Sequence, residues 1–312
     1  MQSLAIAIPV YNNASLLREC LRSIQIQSSK EFDVYIYDDC STENYLSIVN
    51  SFSDFPINYI RNKNNLGALA NMQFSYNDLK DKYEFVMIMH EDDLLHQQFI
   101  ETVMIAISVN KSTAFAITNF TFFDNREELT GITATNFGMN NCFLINKKEL
   151  ALRFLQLKPL AFGSVVYNTK VYKTMELNVE QYEEFADRPF LLNSLNELSK
   201  IALIKDPIYF YRSHGLTDNR WKKLLPKHVF NLIKLYEQIL FKSDFLSTND
   251  FKKYTMSFIF EAYKNLLLTG KKYSFLSYLW SAKAHGFFSL KYTLLQNSII
   301  NKAGTRLKEL FN

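Results

Sequence analysis

The apolar residues of this chain come as short unbroken runs separated by stretches of helical spacing. Leu4-Ala5-Ile6-Ala7-Ile8 contains no polar position, as expected of a strand buried on both faces, and Pro9 is expected to end it. Leu16, Leu17, Cys20, Leu21 and Ile24 then fall on one helical face, which Asn12 or Asn13 can cap. Val34-Tyr35-Ile36-Tyr37 predicts a second strand. Ser41 or Thr42 can cap the next helix, whose apolar side holds Tyr45, Leu46, Val49 and Phe52. Ile57–Ile60 is a short third strand, and a polar loop from Arg61 to Gly67 leads into a helix over about 68–79. Phe85-Val86-Met87-Ile88-Met89 is a fourth strand, followed by a helix over about 98–109 and a strand over 114–118. Residues 125–215 are less regular. From Lys222 onward helical periodicity takes over, as in Val229, Leu232, Ile233, Tyr236, Ile239 and Leu240.

Strands alternating with helices at this spacing predict βαβ units and a parallel sheet. Ligands of such sheets bind beyond the carboxyl ends of the strands. Here those ends carry Pro9-Val10-Tyr11, Asp38-Asp39, the loop Arg61–Gly67, and His90-Glu91-Asp92-Asp93. The last group is the most informative. An apolar strand that ends at once in one imidazole and three carboxylates is costly unless a cation sits there. Hard oxygen ligands suit Mg²⁺ or Mn²⁺, which take one or two protein carboxylates and substrate phosphates. Asp93 capping the following helix, with Glu91 merely solvated, is the plainer alternative. One carboxylate of Asp38-Asp39 could accept a pyrimidine N–H or a ribose hydroxyl; as a pair of turn acids they need no ligand. A glycine-rich phosphate loop and the dinucleotide fingerprint are both absent, and Leu94 stands where a helical zinc motif would need histidine.

The 312 residues suffice for one large domain or for one domain plus an appendage, and 48% hydrophobic against 21% charged residues is a globular composition. Three widely spaced cysteines, Cys20, Cys40 and Cys142, fit a reduced cytoplasmic protein. No signal peptide and no uncharged run of about 18 apolar residues is evident. The charge is asymmetric. Residues 1–220 carry 20 Lys+Arg against 26 Asp+Glu, a net −6, and residues 221–312 carry 15 against 5, a net +10.

Taken together, Ile8-Pro9-Val10-Tyr11-Asn12, Leu21-Arg22-Ser23-Ile24 with Gln27, Asp38-Asp39-Cys40-Ser41-Thr42, Asn64-Asn65-Leu66-Gly67 and Phe85–Asp93 resemble glycosyltransferase family 2. Tyr211-Arg212-Ser213-His214 looks like that family's Tyr-Arg-x-His element. The resemblance covers about 3–120, more loosely 160–215, and nothing after about 220. It implies an α/β GT-A fold: a Rossmann-like, mostly parallel sheet with helices on both faces, plus a C-terminal helical region. The implied domains are a catalytic domain over 1–220, with a nucleotide-sugar half (about 1–120) and an acceptor half (about 121–220), and a basic, aromatic-rich appendage over 221–312. The implied activity is inverting hexosyl transfer from a nucleotide-sugar donor, a UDP-sugar foremost, to a glycan or lipid-linked acceptor of a surface polysaccharide.

The same resemblance implies residue roles. Pro9 and Tyr11 line the base pocket, Asp39 binds the base, and Gly67 and Asn71 lie beside the nucleotide. Asp92 binds Mn²⁺ or Mg²⁺, with Glu91 near the ribose and diphosphate. Asp187 is the general base, with Glu184 as fallback; a surface acid paired with Arg188 is the alternative. Arg212 and His214 contact the diphosphate or form a structural pair. His90 stands in place of the usual first Asp, Cys40 in place of the usual Gly, and Ala186 in place of the first acid of a Glu-Asp pair. These departures also admit a non-catalytic nucleotide-sugar-binding or membrane-associated scaffold. Beyond residue 220, aromatics from Phe251 to Tyr292 interleave with lysines from Lys252 to Lys291. They suit peripheral contact with the inner face of a membrane, or equally a helical bundle packed on the catalytic domain or on a second subunit in a homodimer. No nucleic-acid-binding module is present.

Overall fold

The computed structural model describes residues 3–52, 55–123, 141–158, 160–212, 226–241 and 245–267. Its centre is β1 (Leu4–Val10), which pairs in parallel with β2 (Asp33–Asp38) on one side and β4 (Phe85–Ile88) on the other. β3 (Ile57–Arg61) extends the parallel part beyond β2. Beyond β4 the sheet turns antiparallel through β8 (Val166–Asn168), which pairs with β6 (Thr113–Phe123). β9 (Lys200–Arg212) then runs parallel to β6, and β5 (Leu94–Leu95) and β7 (Cys142–Ile145) pair antiparallel with β9. The order is β3-β2-β1-β4-β8-β6-β9-β5.

Period-two alternation sends Leu4, Ile6, Ile8 and Val10 into the main core with Leu17, Cys20, Leu21 and Ile24 of α1 (Ala14–Gln25). Burial of each such Leu or Ile contributes about 1.5–3 kcal/mol. Ala5 and Ala7 face the opposite side, where α3 (Ala68–Leu79) packs on β1 and β4. The remaining helices of the first unit are α2 (Tyr45–Val49), α4 (Phe99–Ser108), α5 (Lys147–Leu155), α6 (Val179–Tyr182, shared with the second unit) and α7 (Asp187–Asn193).

Several local expectations need correction. β1 runs through Pro9 to Val10. Ala7 accepts from the Met89 N–H, so residues 7 and 9 face β4, and the β4 ladder stops at Ile88 opposite Ala7. Proline's missing donor therefore falls past the end of that ladder. Neither asparagine caps α1 with its side chain. Glu43 does so from across the turn, accepting the Ala14 N–H at 2.7 Å. The α2 cap is Asn44, bonded to Ser47 N at 3.1 Å, and Leu46 points outward. The irregular region contains β9, 13 residues long. Its register against β6 shifts between Thr118 and Phe120, while β9 advances from Ile204 to Tyr209. The bulge absorbs Lys205-Asp206-Pro207, so a proline sits inside a strand that reads as a turn.

The chain divides into two compact units: Met1–Val179 with Phe185–Asp218, and Glu180–Glu184 with Asn219–Asn312. In the second, α8 (Pro226–Phe241) and α9 (Thr248–Leu267) pack together, with Tyr236 edge-on to Phe258. Asn231 donates to the Gln181 carbonyl at 3.0 Å, and buried His228 lies 3.3 Å from Glu183, which joins the short segment to the helices. No helix among the described residues is long and apolar enough to cross a membrane. The aromatic and lysine stretch from residue 268 on lies outside the described residues.

Candidate active site

The two acids at the end of β2 have separate tasks. Asp38 is fully buried and accepts from Ser41 N (2.8 Å), Arg61 Nη1 (2.7 Å) and the Tyr59 hydroxyl. Burial alone would raise its pKa. The hydrogen bonds from Ser41 and Tyr59 and the Arg61 charge prevail and hold it below the usual carboxylate value. Asp39 instead gathers the loop after β3. Its Oδ1 accepts from Leu66 N (2.8 Å) and Asn62 Nδ2 (2.9 Å), and its Oδ2 from Gly67 N (2.8 Å). Gly67 has φ 86° and ψ 154°, a region essentially restricted to glycine. Asn71 is buried and committed to structure, donating to the Tyr37 carbonyl (2.8 Å) and accepting from Asn62 (3.0 Å). Asp39, Gly67 and Asn71 are thus one connected cradle.

The end of β1 is tied to the end of β4 by Glu91. Its carboxylate accepts from Tyr11 N (3.1 Å) and the Tyr45 hydroxyl (2.8 Å), and Tyr45 in turn accepts the Asn13 N–H (2.6 Å). Burial pushes the Glu91 carboxyl up to about 7, against the pull of these hydrogen bonds, and the neighbouring Asp92 charge adds to the rise. The Tyr11 side is open, at 46% exposure, while Pro9 is half-buried in β1.

His90, Asp92 and Asp93 form the acid tip. Each offers one ligand atom within 4.8 Å of the others. Two carboxylate donors fit Mg²⁺ or Mn²⁺; the imidazole is the unusual member. Asp93 does not support the next helix, which begins only at Phe99. It is 1% exposed and accepts from Tyr209 Oη (2.6 Å) and Arg212 N (2.8 Å), with His90 Nδ1 3.3 Å away. Arg212 also donates from Nε to the Asp92 carbonyl (2.8 Å) and from Nη2 to Glu19 (2.8 Å). Gly163, in a short 3₁₀ turn (Phe162–Ser164), lies so close that a Cβ there would overlap the Tyr209 hydroxyl.

Asp187 opens α7 and is half-buried, its Oδ1 accepting the Arg188 N–H at 2.8 Å. The Arg188 guanidinium lies over the rings of Phe185 (4.5 Å) and Phe154 (5.4 Å). The buried phenol of Tyr167 has its pKa driven up by burial first and then by Tyr172, Tyr76 and the charge of Asp187. His214 and the Glu184 side chain lie outside the described residues. The pattern of the sequence did not single out Tyr45, Asn62, Tyr209, Gly163 or Glu19. Tyr45 and Glu19 lie in helices read only for their apolar faces, Asn62 lies in a loop read only as polar, and Tyr209 and Gly163 meet partners remote in the chain.

An acid-tipped sheet of this order, with a loop cradle on one strand end and a carboxylate turn on another, is the architecture of GT-A sugar transferases. The model of the family described as Glycosyl transferase family 2 matches residues 5–175, and the chain belongs to that family; it is a glycosyltransferase. It is 25% identical over 222 residues to glycosyltransferase GlyG of Streptococcus pneumoniae, covering 67% of this chain and 70% of GlyG. It is 22% identical over 222 residues to poly(ribitol-phosphate) beta-N-acetylglucosaminyltransferase TarS of Staphylococcus aureus, covering 68% of this chain and 35% of TarS, so the match spans about a third of that relative. The crystal structure of TarS 1–349 in complex with UDP-GlcNAc matches with a TM-score of 0.57 at 17% identity, over 83% of this chain and 72% of that one, a likeness of fold.

Proposed function

We propose that this chain transfers a hexosyl unit with inversion from a nucleotide-diphosphate sugar, a UDP-sugar foremost, to a hydroxyl of a glycan or lipid-linked acceptor of a surface polysaccharide. The observation that supports it most is the convergence, beyond the ends of β1, β2 and β4, of an amide-cradled carboxylate and an acidic turn. A carboxylate has about four acceptor sites. Three of those on Asp39 are engaged by its own loop, which leaves one for a base N–H. Pro9 and the exposed Tyr11 form the wall beside it, and Gly67 lets the backbone pass close to the nucleotide. The name of TarS, and the UDP-GlcNAc with which it was solved, favour a uridine nucleotide and a hexosyl group.

In this reading Asp92 holds Mn²⁺ or Mg²⁺, with Glu91 setting the loop beside the ribose and diphosphate. The ion, when bound, neutralises the departing diphosphate. Asp187 takes the proton of the acceptor hydroxyl as that oxygen bonds to the anomeric carbon and the carbon–diphosphate bond breaks; the proton ends on the Asp187 carboxyl. Asp187 is half-buried at the start of α7, so its carboxylate is partly withdrawn from solvent yet still reachable by an acceptor.

A melting-temperature screen of nucleotide sugars with and without Mn²⁺ tests the donor, because native-state ligands raise the melting temperature by mass action. The expected result is a Mn²⁺-dependent rise with a UDP-sugar, lost in Asp92→Asn. Asp187→Ala is expected to keep the rise and lose turnover by roughly 10²–10⁴-fold. A chain that responds to no nucleotide, or an Asp187→Ala variant that turns over normally, would contradict the proposal.

A further inference from the structure

Arg212 is the last residue of β9 and is 8% exposed. Three of its groups reach two separate parts of the fold, α1 and the turn after β4. The backbone N–H holds Asp93 Oδ1, Nε holds the carbonyl of Asp92, and Nη2 holds Glu19 of α1, each at 2.8 Å. The guanidinium carbon lies 4.5 Å from the centroid of Phe123, at the end of β6. Tyr209, three residues earlier, holds the other oxygen of Asp93 at 2.6 Å. A planar guanidinium edge-bonded on Nε and Nη2 and covered by a ring is held in one orientation. Its hydrogen bond to Asp92 is made to the main-chain carbonyl.

We propose that Arg212 is a positioning residue. It clamps the His90–Asp93 turn between α1 and β9, and so sets the direction in which Asp92 presents its ion; it does not bind the donor diphosphate. This rests on the assignment of the metal to Asp92. Clamping through a main-chain carbonyl requires a donor fork of fixed shape. A lysine, equally charged, reaches only one of the two partners. Glu19 belongs to the clamp, and its role gives the two explanations opposite signs. If Arg212 were a diphosphate ligand, neutralising Glu19 would release the guanidinium and tighten nucleotide binding. If Arg212 is a clamp, neutralising Glu19 loosens the turn and weakens metal-dependent binding.

The test measures UDP affinity by calorimetry in chelator and in Mn²⁺, and Mn²⁺ binding by electron paramagnetic resonance, for the full chain and for Arg212→Lys and Glu19→Gln. Without metal, UDP affinity is expected to stay within about twofold of the parent for both variants, because the Asp39 cradle is untouched. Partners that orient a metal ligand are worth roughly 10–100-fold in metal affinity, so Arg212→Lys should lose about tenfold in Mn²⁺ affinity and Glu19→Gln about threefold. Equal loss of UDP affinity with and without metal in Arg212→Lys would overturn the proposal. So would tighter UDP binding by Glu19→Gln, or parental Mn²⁺ affinity in Arg212→Lys. If Arg212→Lys does not fold, the sign of the Glu19→Gln effect decides alone. Unchanged Mn²⁺ dependence in Asp92→Asn would instead sink the metal assignment, whatever the Arg212 and Glu19 variants show.

Discussion

The cradle around Asp39 and the turn around Asp92 lie beyond strands of the same sheet, yet they are held by contacts of different reach. Asp39 is bonded to Asn62, Leu66 and Gly67, which follow it by 23, 27 and 28 residues. Asp93 is bonded to Tyr209 and Arg212, 116 and 119 residues away, and Arg212 to Glu19, 193 residues away. The cradle is complete once β1 to α3 have assembled. The turn is complete only when β9 has entered the sheet. The Asp39 end therefore belongs to a contiguous stretch of chain, and the Asp92 end inherits its geometry from the whole first unit. Non-local pairing of this kind forms late because loop closure precedes its reward.

Three substitutions probe that contrast. Asp39→Ala attacks the local end. It leaves the Leu66 amide without its acceptor and the Gly67 amide and Asn62 with only Asn65 and Asn71 respectively, and bonds to a charged group are each worth about 1.5–3 kcal/mol. A loss of about 3 kcal/mol in urea unfolding is expected, with faster amide exchange at Leu66 and Gly67 and unchanged exchange at Arg212. Exchange that rises equally at both places would show that the two ends are one cooperative unit. Gly163→Ala attacks the remote end. Its new Cβ must push the Tyr209 hydroxyl off Asp93, an overpacking cost of about 1–3 kcal/mol. Metal-free nucleotide affinity should survive in this variant while Mn²⁺ affinity falls. The smallest effect is expected at Cys40, which sits at φ 62° where the resemblance expects glycine. Cys40→Gly relieves left-handed strain of about 1–2 kcal/mol and returns about 0.5–1 kcal/mol through the freer unfolded chain. A net gain of about 0.5 kcal/mol should register as a slightly higher melting temperature. A lower melting temperature would mean that the weak Cys40 Sγ contact to the Lys63 carbonyl, at 3.7 Å, matters more than the backbone.

The amino-terminal elements were legible because their signals are local. The helix expected over 68–79 is Ala68–Leu79, and the apolar runs at residues 4, 34, 57 and 85 are strands. The α1 cap was misread because it is tertiary, whereas the α2 cap, Asn44 on Ser47 N, is local and falls two residues past Thr42. Glu43 reaches Ala14 across the loop, and Asn12 accepts the Thr42 N–H at 2.8 Å where Ser41 or Thr42 was expected to cap a helix. β9 was missed because Lys205-Asp206-Pro207 has turn chemistry, and only its pairing with β6 shows that a bulge accommodates it. The strand-end acids were all found in the sequence. Their division of labour was not, since Asp38 is braced by Arg61, Asp39 by its own loop, and Asp93 by β9.

By itself, the sequence determined the alternation of strands and helices and the placing of Asp38-Asp39 and His90–Asp93 at the ends of two parallel strands. Those facts depend on apolar period and on residues within a few positions of each other. Which of the strand-end carboxylates serve as braces was decided only by the tertiary structure. Tyr209, Arg212, Gly163 and Glu19 meet the acid tip through sheet order and register, and no local period records a contact between residues more than a hundred positions apart.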